Sequence, residues 1–339
     1  PPLHPTAKRV TLSPSQWVWR RDIMRLGYYT DYSEETAAFA SETGFTSLEL
    51  SAWPDSAINP DTVTQERLDE ILADLQRRDI EISALGYYPN YLVPDDEVRA
   101  ECRRYLLQVM GLAQRMNVSV IATFAGRNPY LSVEENLDDF QTVFTEFCAE
   151  AEDRGLRLAI ENCPMVERKT MHSINLAFSP EIWERMFELV PSPALGIEID
   201  PSHMVWQGID YLQAMRDFGD RIYHVHAKDM EILPHVLKRV GIYGRSFGTA
   251  YGLGHGWWRG RAPGFGAVDW PAFISALIEV GYEGNVDIEH EDDVLAFSEI
   301  GEFTADEESA IVMAYGREHK GLLLGYQTLA PLIPGHKRK

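Results

Sequence analysis

A single (β/α)8 barrel, the TIM-barrel arrangement, is the fold class this sequence predicts, and three observations predict it. Short β-type runs ending in polar residues alternate with amphipathic helical stretches eight times along the 339 residues. No Ser/Pro-rich linker or low-complexity tract divides these units, so residues 1–339 read as one domain. No glycine-rich phosphate turn follows the first strand, which disfavours the alternative of an open, doubly wound sheet.

Taken in order, the strands are expected at 26–29, 47–50, 81–85, 118–124, 156–161, 195–200, 222–226 and 285–290. Helices are expected at 61–78, 96–116 and 133–154, where apolar residues recur every three or four positions (Leu106, Val109, Met110, Leu112, Ala113) and acids crowd the first turn. Gly44, Gly155 and Gly281 stand where left-handed caps end their helices. Between the seventh and eighth strands lies a long insertion, 230–268, rich in Gly, Trp and Arg, which reads as a loop over the active site. A C-terminal helix is expected over 306–330, with Ile311, Ala314, Leu322 and Leu323 on its apolar side, closing the barrel base or contributing to a homo-oligomer.

Composition narrows the function. With 45% hydrophobic and 24% charged residues the chain has an ordinary globular balance, which excludes disorder. Its net charge of −21 repels phosphate polymers and anionic membranes, so neither nucleic acid nor membrane is an expected partner. Cys102, Cys148 and Cys163 have no metal-ligand spacing, and no apolar run has the length of a leader or a membrane span. A soluble protein of the reducing cytoplasm is the expectation.

Barrel active sites lie at the C-terminal ends of the strands, so the last inward residue of each strand matters most. For the last four strands these are Glu161, Asp200, His226 and Glu289. Alternation supports the choice: Glu198 and Asp200, His224 and His226, and Asp287 and Glu289 each share a face, while Ile160, Ile199, Val225 and Ile288 face the helices. Three carboxylates converging in a partly dry cavity repel one another, and a divalent cation resolves the conflict, leaving a net site charge of −1. Oxygen-rich ligation with one imidazole suits Mn²⁺ best, with Mg²⁺, Co²⁺ or Zn²⁺ as alternatives. Glu291 shares a face with Glu289 and competes with it as fourth ligand. His224, one layer deeper, reads as an interior histidine, and Glu49 either binds a sugar hydroxyl or holds the cavity wall.

The motifs Ile160-Glu161-Asn162, Asp200-Pro-Ser-His203, His224-Val-His-Ala-Lys-Asp229 and Asp287-Ile-Glu-His-Glu-Asp292 resemble the strand-end motifs of the xylose isomerase-like barrels, a family of sugar isomerases and epimerases. His255-Gly-Trp-Trp-Arg259 through Trp270 resembles a loop of one branch, which includes the catalytic subunits of C-glycoside deglycosidases. The resemblance implies Glu161, Asp200, His226 and Glu289 as ligands of one divalent cation, with His203 and Lys228 beside the substrate. It implies that Glu161 and Glu289 move a proton on and off carbon next to a carbonyl, through a metal-stabilised enediolate.

The leading expectation is therefore a metal-dependent isomerase or epimerase of a keto-sugar or related polyol. The alternative is a carbon–carbon lyase acting on 3-keto-C-glycosides with a small β-rich second subunit. A repair endonuclease on the same barrel is disfavoured by the charge and by the lack of histidine near Ser51, Tyr87 and Phe124, where strands two to four end. Two readings stay open: Lys228 either serves the substrate or pairs with Asp229, and Arg127, Arg245, Arg259 and Arg261 either clamp a phosphate or are merely solvated. Trp53, Tyr87, Tyr88, Phe124, Trp206 and Trp257 are expected to line the cleft.

Overall fold

The computed structural model describes residues 24–166, 172–242, 256–297 and 318–336. The chain runs β1 (Arg25–Thr30), α1 (Glu34–Thr43), β2 (Ser47–Ser51), α2 (Gln65–Arg77), β3 (Glu81–Gly86), α3 (Asp96–Met116), β4 (Val120–Thr123) and α4 (Val133–Asp153). It continues β5 (Arg157–Glu161), α5 (Pro180–Leu189), β6 (Leu195–Ile199), α6 (Pro201–Gln207), α7 (Tyr211–Asp217), β7 (Ile222–Val225), β8 (Asp229–Ile232) and α8 (Pro234–Val240). After it come β9 (Trp258–Arg261), α9 (Trp270–Glu279), β10 (Asn285–Ile288), α10 (Asp293–Phe297) and α11 (Glu318–Leu329).

Eight parallel strands pair in the order β10-β1-β2-β3-β4-β5-β6-β7. The last gap is bridged by His226 beside Asp287, where the Ala227 amide donates to the Asp287 carbonyl at 2.7 Å. The result is the (β/α)8 TIM barrel that the strand and helix periodicities imply.

Local chemistry explains where elements start and stop. α3 occupies its expected range because Asp95 caps the Glu97 and Val98 amides, and Asn117, at φ 56°, ends it in the left-handed region. Its apolar stripe, from Tyr105 and Leu106 to Met116, is buried against the barrel. α2 begins at Gln65 rather than 61, because the Thr64 side chain takes the Arg67 amide and sets the cap there. Gly44, at φ 107°, ends α1 as expected.

The barrel interior departs from the usual layers of branched aliphatic side chains. Ser47, Glu49, Ser83, Glu198, His224 and Asp287 are all buried there. Gly27 makes this possible, since a Cβ at that position would collide with Asp287 Oδ1 and Ser47.

The described residues of the insertion, expected as a loop over 230–268, include regular structure, while 243–255 lie outside the described residues. β8 and β9 form an antiparallel ladder pairing Asp229 with Arg261 and Ile232 with Trp258, and α8 lies between them. Buried Met230, Trp257 and Trp258 make a small separate core with Trp206 packed against it. Of the expected C-terminal helix, residues 306–317 lie outside the described residues, with Ile311 and Ala314 among them. The described part, α11, buries Leu322 and Leu329 and sets Tyr326 edge-on to Phe45 at 4.9 Å, while Leu323 is exposed. No helix among the described residues is long and apolar enough to cross a membrane.

Candidate metal centre

Glu161, Asp200, His226 and Glu289 come together at the C-terminal mouth, each at or one residue beyond the end of its strand. One donor atom from each lies within 4.8 Å of the others. Their backbones are fixed by groups that sequence reasoning passed over. The Asn162 amide clamps β5 to β6, receiving the Asp200 N–H on Oδ1 (2.6 Å) and donating from Nδ2 to the Asp200 carbonyl (2.9 Å). Asn175, fully buried, donates to the Glu161 and Cys163 carbonyls and accepts from Ala125 and Gly126, so all of its polar atoms are used. Asp200 is also the N-cap of α6: its Oδ1 takes the Ser202 amide at 2.8 Å, and Pro201 occupies the first helical turn. Only Oδ2 is left to face the site.

The donor set fits a cation on an observation independent of sequence. Glu161 Oε1, Asp200 Oδ2 and His226 Nδ1 are buried and have no hydrogen-bond partner. Orphaned buried acceptors of this kind cost about 1–3 kcal/mol each unless something fills their lone pairs. They face one another: His226 Nδ1 stands 3.6 Å from Glu161 Oε1 and 3.4 Å from Glu289 Oε2. Octahedral ligands at metal–oxygen distances near 2.1 Å stand about 3 to 4.2 Å apart, which matches.

One layer deeper, Glu49, Glu198, His224 and His226 also offer four donors within 4.8 Å. This inner set is largely satisfied by protons. Tyr88 Oη donates to Glu49 Oε1 at 2.5 Å and stands 3.0 Å from Glu198 Oε2. Ser47 and Ser83 donate to Asp287 at 3.2 and 2.5 Å, and His224 Nε2 is 3.1 Å from both Glu49 and Asp287. In this set Glu198 Oε1 and His226 Nδ1 lack a hydrogen bond. Burial, the largest influence on it, pushes the Glu198 carboxyl well above its ordinary value. Two donor sets are thus stacked along the barrel axis, and the outer one keeps more unpartnered atoms.

Protonation states follow the same division. Burial would raise Glu161, but His203 and His226 hold it below its ordinary value, and burial of Glu49 is outweighed by His226 and His224, which bring it to about 2. Burial would depress both histidines, yet Glu198 and Glu49 push His226 well up, and Asp287 and Glu49 carry His224 to about 10. The mouth thus concentrates negative charge that a cation or a proton must answer.

Other expectations divide. His203 rides α6, buried, with Nε2 3.3 Å from Asp200 Oδ2 and 3.6 Å from Glu161 Oε1. Lys228 does not pair with Asp229. Its ammonium, buried at 2% exposure, meets Glu289 at 2.6 Å, Glu291 at 3.1 Å and Asp200 at 3.6 Å. Asp229 turns the other way and accepts the amides of Gly264, Gly266 and Val268 and the Trp270 indole N–H, pinning the end of the insertion. Glu291 stands outside the converging set, bound through Lys228. Glu49 is part of the interior wall and has no exposure, and His224 is an interior histidine.

Of the aromatic candidates, Tyr87 is packed on Tyr91 and Tyr105 and is core, whereas Tyr88 reaches the inner acids. Trp206 stacks on Trp258 at 5.1 Å. Arg259 and Arg261 both pair with Glu231, Arg261 also with Asp292, and Arg127 stacks over Phe178; Arg245 lies outside the described residues. A cavity of about 940 Å³ opens at the opposite, N-terminal mouth, lined by strand starts such as Glu81, Ser119, Arg157 and Asn285. Ser83 and His224 form its inner end, below the ligand set.

Fold and site together define a parallel barrel with a polyacidic, single-imidazole centre at its C-terminal mouth. Residues 37–313 match the family described as xylose isomerase-like TIM barrel, and the chain belongs to that family. It is 27% identical over 305 residues to the uncharacterized protein YfiH of Bacillus subtilis, covering 79% of this chain and 93% of that one. It is 28% identical over 142 residues to an inosose dehydratase of Geobacillus kaustophilus, 41% of this chain and 44% of that enzyme.

Among solved structures, a xylose isomerase domain protein from Planctomyces limnophilus superposes with TM-score 0.65 at 18% identity, over 92% of this chain and 98% of that one. D-psicose 3-epimerase from Clostridium cellulolyticum gives 0.64 at 15%, over 90% and 99%. The IOLI protein, solved with a zinc atom bound, gives 0.64 at 17%, over 93% and 100%. These likenesses concern the fold. The relatives named by activity are sugar- and cyclitol-processing enzymes, epimerase and dehydratase.

Proposed function

We propose that this protein is a divalent-metal-dependent isomerase or epimerase of a keto-sugar or related polyol, with Glu161, Asp200, His226 and Glu289 as the metal ligands. The observation that carries the reading is the trio of orphaned, buried donor atoms facing one another at the mouth. When bound, the cation supplies Lewis-acid stabilisation of negative charge developing on substrate oxygens, and Mn²⁺ suits the donor set best.

The rest of the chemistry falls to side chains of this chain. Glu161, kept ionised by His203 and His226, is able to take a proton from carbon beside a carbonyl. Glu289, the ligand with the most exposure, returns one from the facing side. Lys228, held cationic by Glu289 and Glu291 against the pull of burial, pairs with Glu289 at 2.6 Å and donates towards a substrate oxygen. His203 orients a hydroxyl from α6.

The same deprotonation, followed by loss of a group from the next carbon, is an elimination. The similarity to inosose dehydratases supports that as a second outcome of one site. Cleavage of a 3-keto-C-glycoside is a variant of it, favoured by the Trp206, Trp257 and Trp258 cluster beside α6, and it brings with it a small β-rich partner subunit.

The test is solvent exchange. Incubation with Mn²⁺ and a panel of ketoses and inososes in D₂O is expected to place deuterium on the carbon next to the carbonyl. Chelation abolishes this, and Mn²⁺ or Co²⁺ restores it. Glu161→Gln is expected to retain a metal and lose exchange by at least about 100-fold, the usual scale of a general base. Undiminished exchange in that variant rejects Glu161 as the base.

A further inference from the structure

The barrel carries the same donor types twice along its axis. Glu198, His224 and Asp287 each precede Asp200, His226 and Glu289 by two residues, and the inner layer is completed from the far side by Glu49 on β2. Glu49 has no exposure, and its Oε2 lies 2.7 Å from His226 Nε2, the shorter of its two histidine contacts and closer than Glu198 Oε1 at 3.2 Å. Its other oxygen is held by Tyr88 at 2.5 Å, so the carboxylate has no freedom to swing away. Gly86 leaves the room this requires, since a Cβ there would run into Glu49 Oε1. Across the ring, His226 Nδ1 is buried and without a hydrogen bond.

We propose that Glu49 is the positioning residue of the metal centre, fixing the proton of His226 on Nε2 so that Nδ1 is presented bare to the cation. This rests on the metal reading of the outer set. An imidazole ligand whose second nitrogen donates to a carboxylate is oriented and made more basic, and loss of such a partner costs 10- to 100-fold in metal affinity as an order of magnitude. Inner and outer layers are thus one device. The acids below need not hold an ion of their own, because they hold the ring that does.

The experiment measures Mn²⁺ affinity calorimetrically, without substrate, in the full chain. Glu49→Gln is expected to raise the Kd by about 10- to 100-fold. In a His226→Ala background the same substitution is expected to change Kd by less than about twofold, since the residue it acts through is gone. A parent-like Kd in Glu49→Gln, or an equal loss in both backgrounds, overturns the proposal.

A second measurement needs no variant. ¹⁵N-histidine NMR of the parent loaded with Mg²⁺ is expected to show His226 protonated on Nε2, and protonation on Nδ1 overturns the proposal whatever the variants do. A parent that binds no Mn²⁺ is a different failure, removing the metal reading and this inference with it.

Discussion

At the scale of single residues, the contest between Glu289 and Glu291 turns on what each carboxylate touches. Both reach Lys228, but only Glu289 also approaches His226 Nδ1 and joins the converging donors. Burial, the largest influence on it, raises the Glu291 carboxyl above its ordinary value, against the pull of Lys228, which suits a proton-sharing neighbour rather than a ligand. Glu289→Gln is therefore expected to weaken Mn²⁺ binding by at least about 10-fold, whereas Glu291→Gln leaves it within about twofold. Isothermal titration of both variants decides, and equal losses would remove Glu289 from its assigned place.

Elements explain why so much of the outer site was legible in the sequence and so little of its support. A strand-end residue announces itself by position: Glu161, Asp200, His226 and Glu289 each close a run of alternating apolar residues. The residues that hold them have no such signal. Asn162 works across two strands and Asn175 reaches from a loop to two others, and neither pairing is encoded in local spacing. Glu198, His224 and Asp287 were visible as face-mates of the ligands, but Glu49 joins them only through barrel closure. The strands within the insertion had no local signal because its β-runs are four residues long and their partners lie about thirty positions apart. Asp229 is what makes it an element. Removing its carboxylate leaves the buried Val268 amide and Trp270 indole, and the part-buried amides of Gly264 and Gly266, without that acceptor. Asp229→Ala is expected to cost at least about 3 kcal/mol in urea denaturation. A loss under about 1 kcal/mol means the hairpin is held by its Met230–Trp257–Trp258 core instead.

For the whole molecule, the proposed metal centre predicts that folding is coupled to metal. The four donors sit on four separate strand ends, β5, β6, β7 and β10, and β7 meets β10 through the short bridge at His226 and Asp287. The ion-binding set therefore spans the weakest seam of the barrel, where one ligand is itself a residue of the bridge. An ion that binds only the native state adds about 2.7 kcal/mol at a free concentration 100 times its Kd. For a chain of this size that shift corresponds to about 4 °C in Tm. Thermal unfolding after exhaustive chelation, compared with unfolding in excess Mn²⁺, is expected to show that difference, and His226→Ala is expected to abolish it. The sign is fixed by linkage: carboxylates crowded together without a cation repel in the folded barrel and separate in the unfolded chain, so the ion stabilises the former alone. Superimposable melting curves with and without Mn²⁺ would mean that the seam is held without an ion, and that the orphaned donors of Glu161, Asp200 and His226 are answered in some other way.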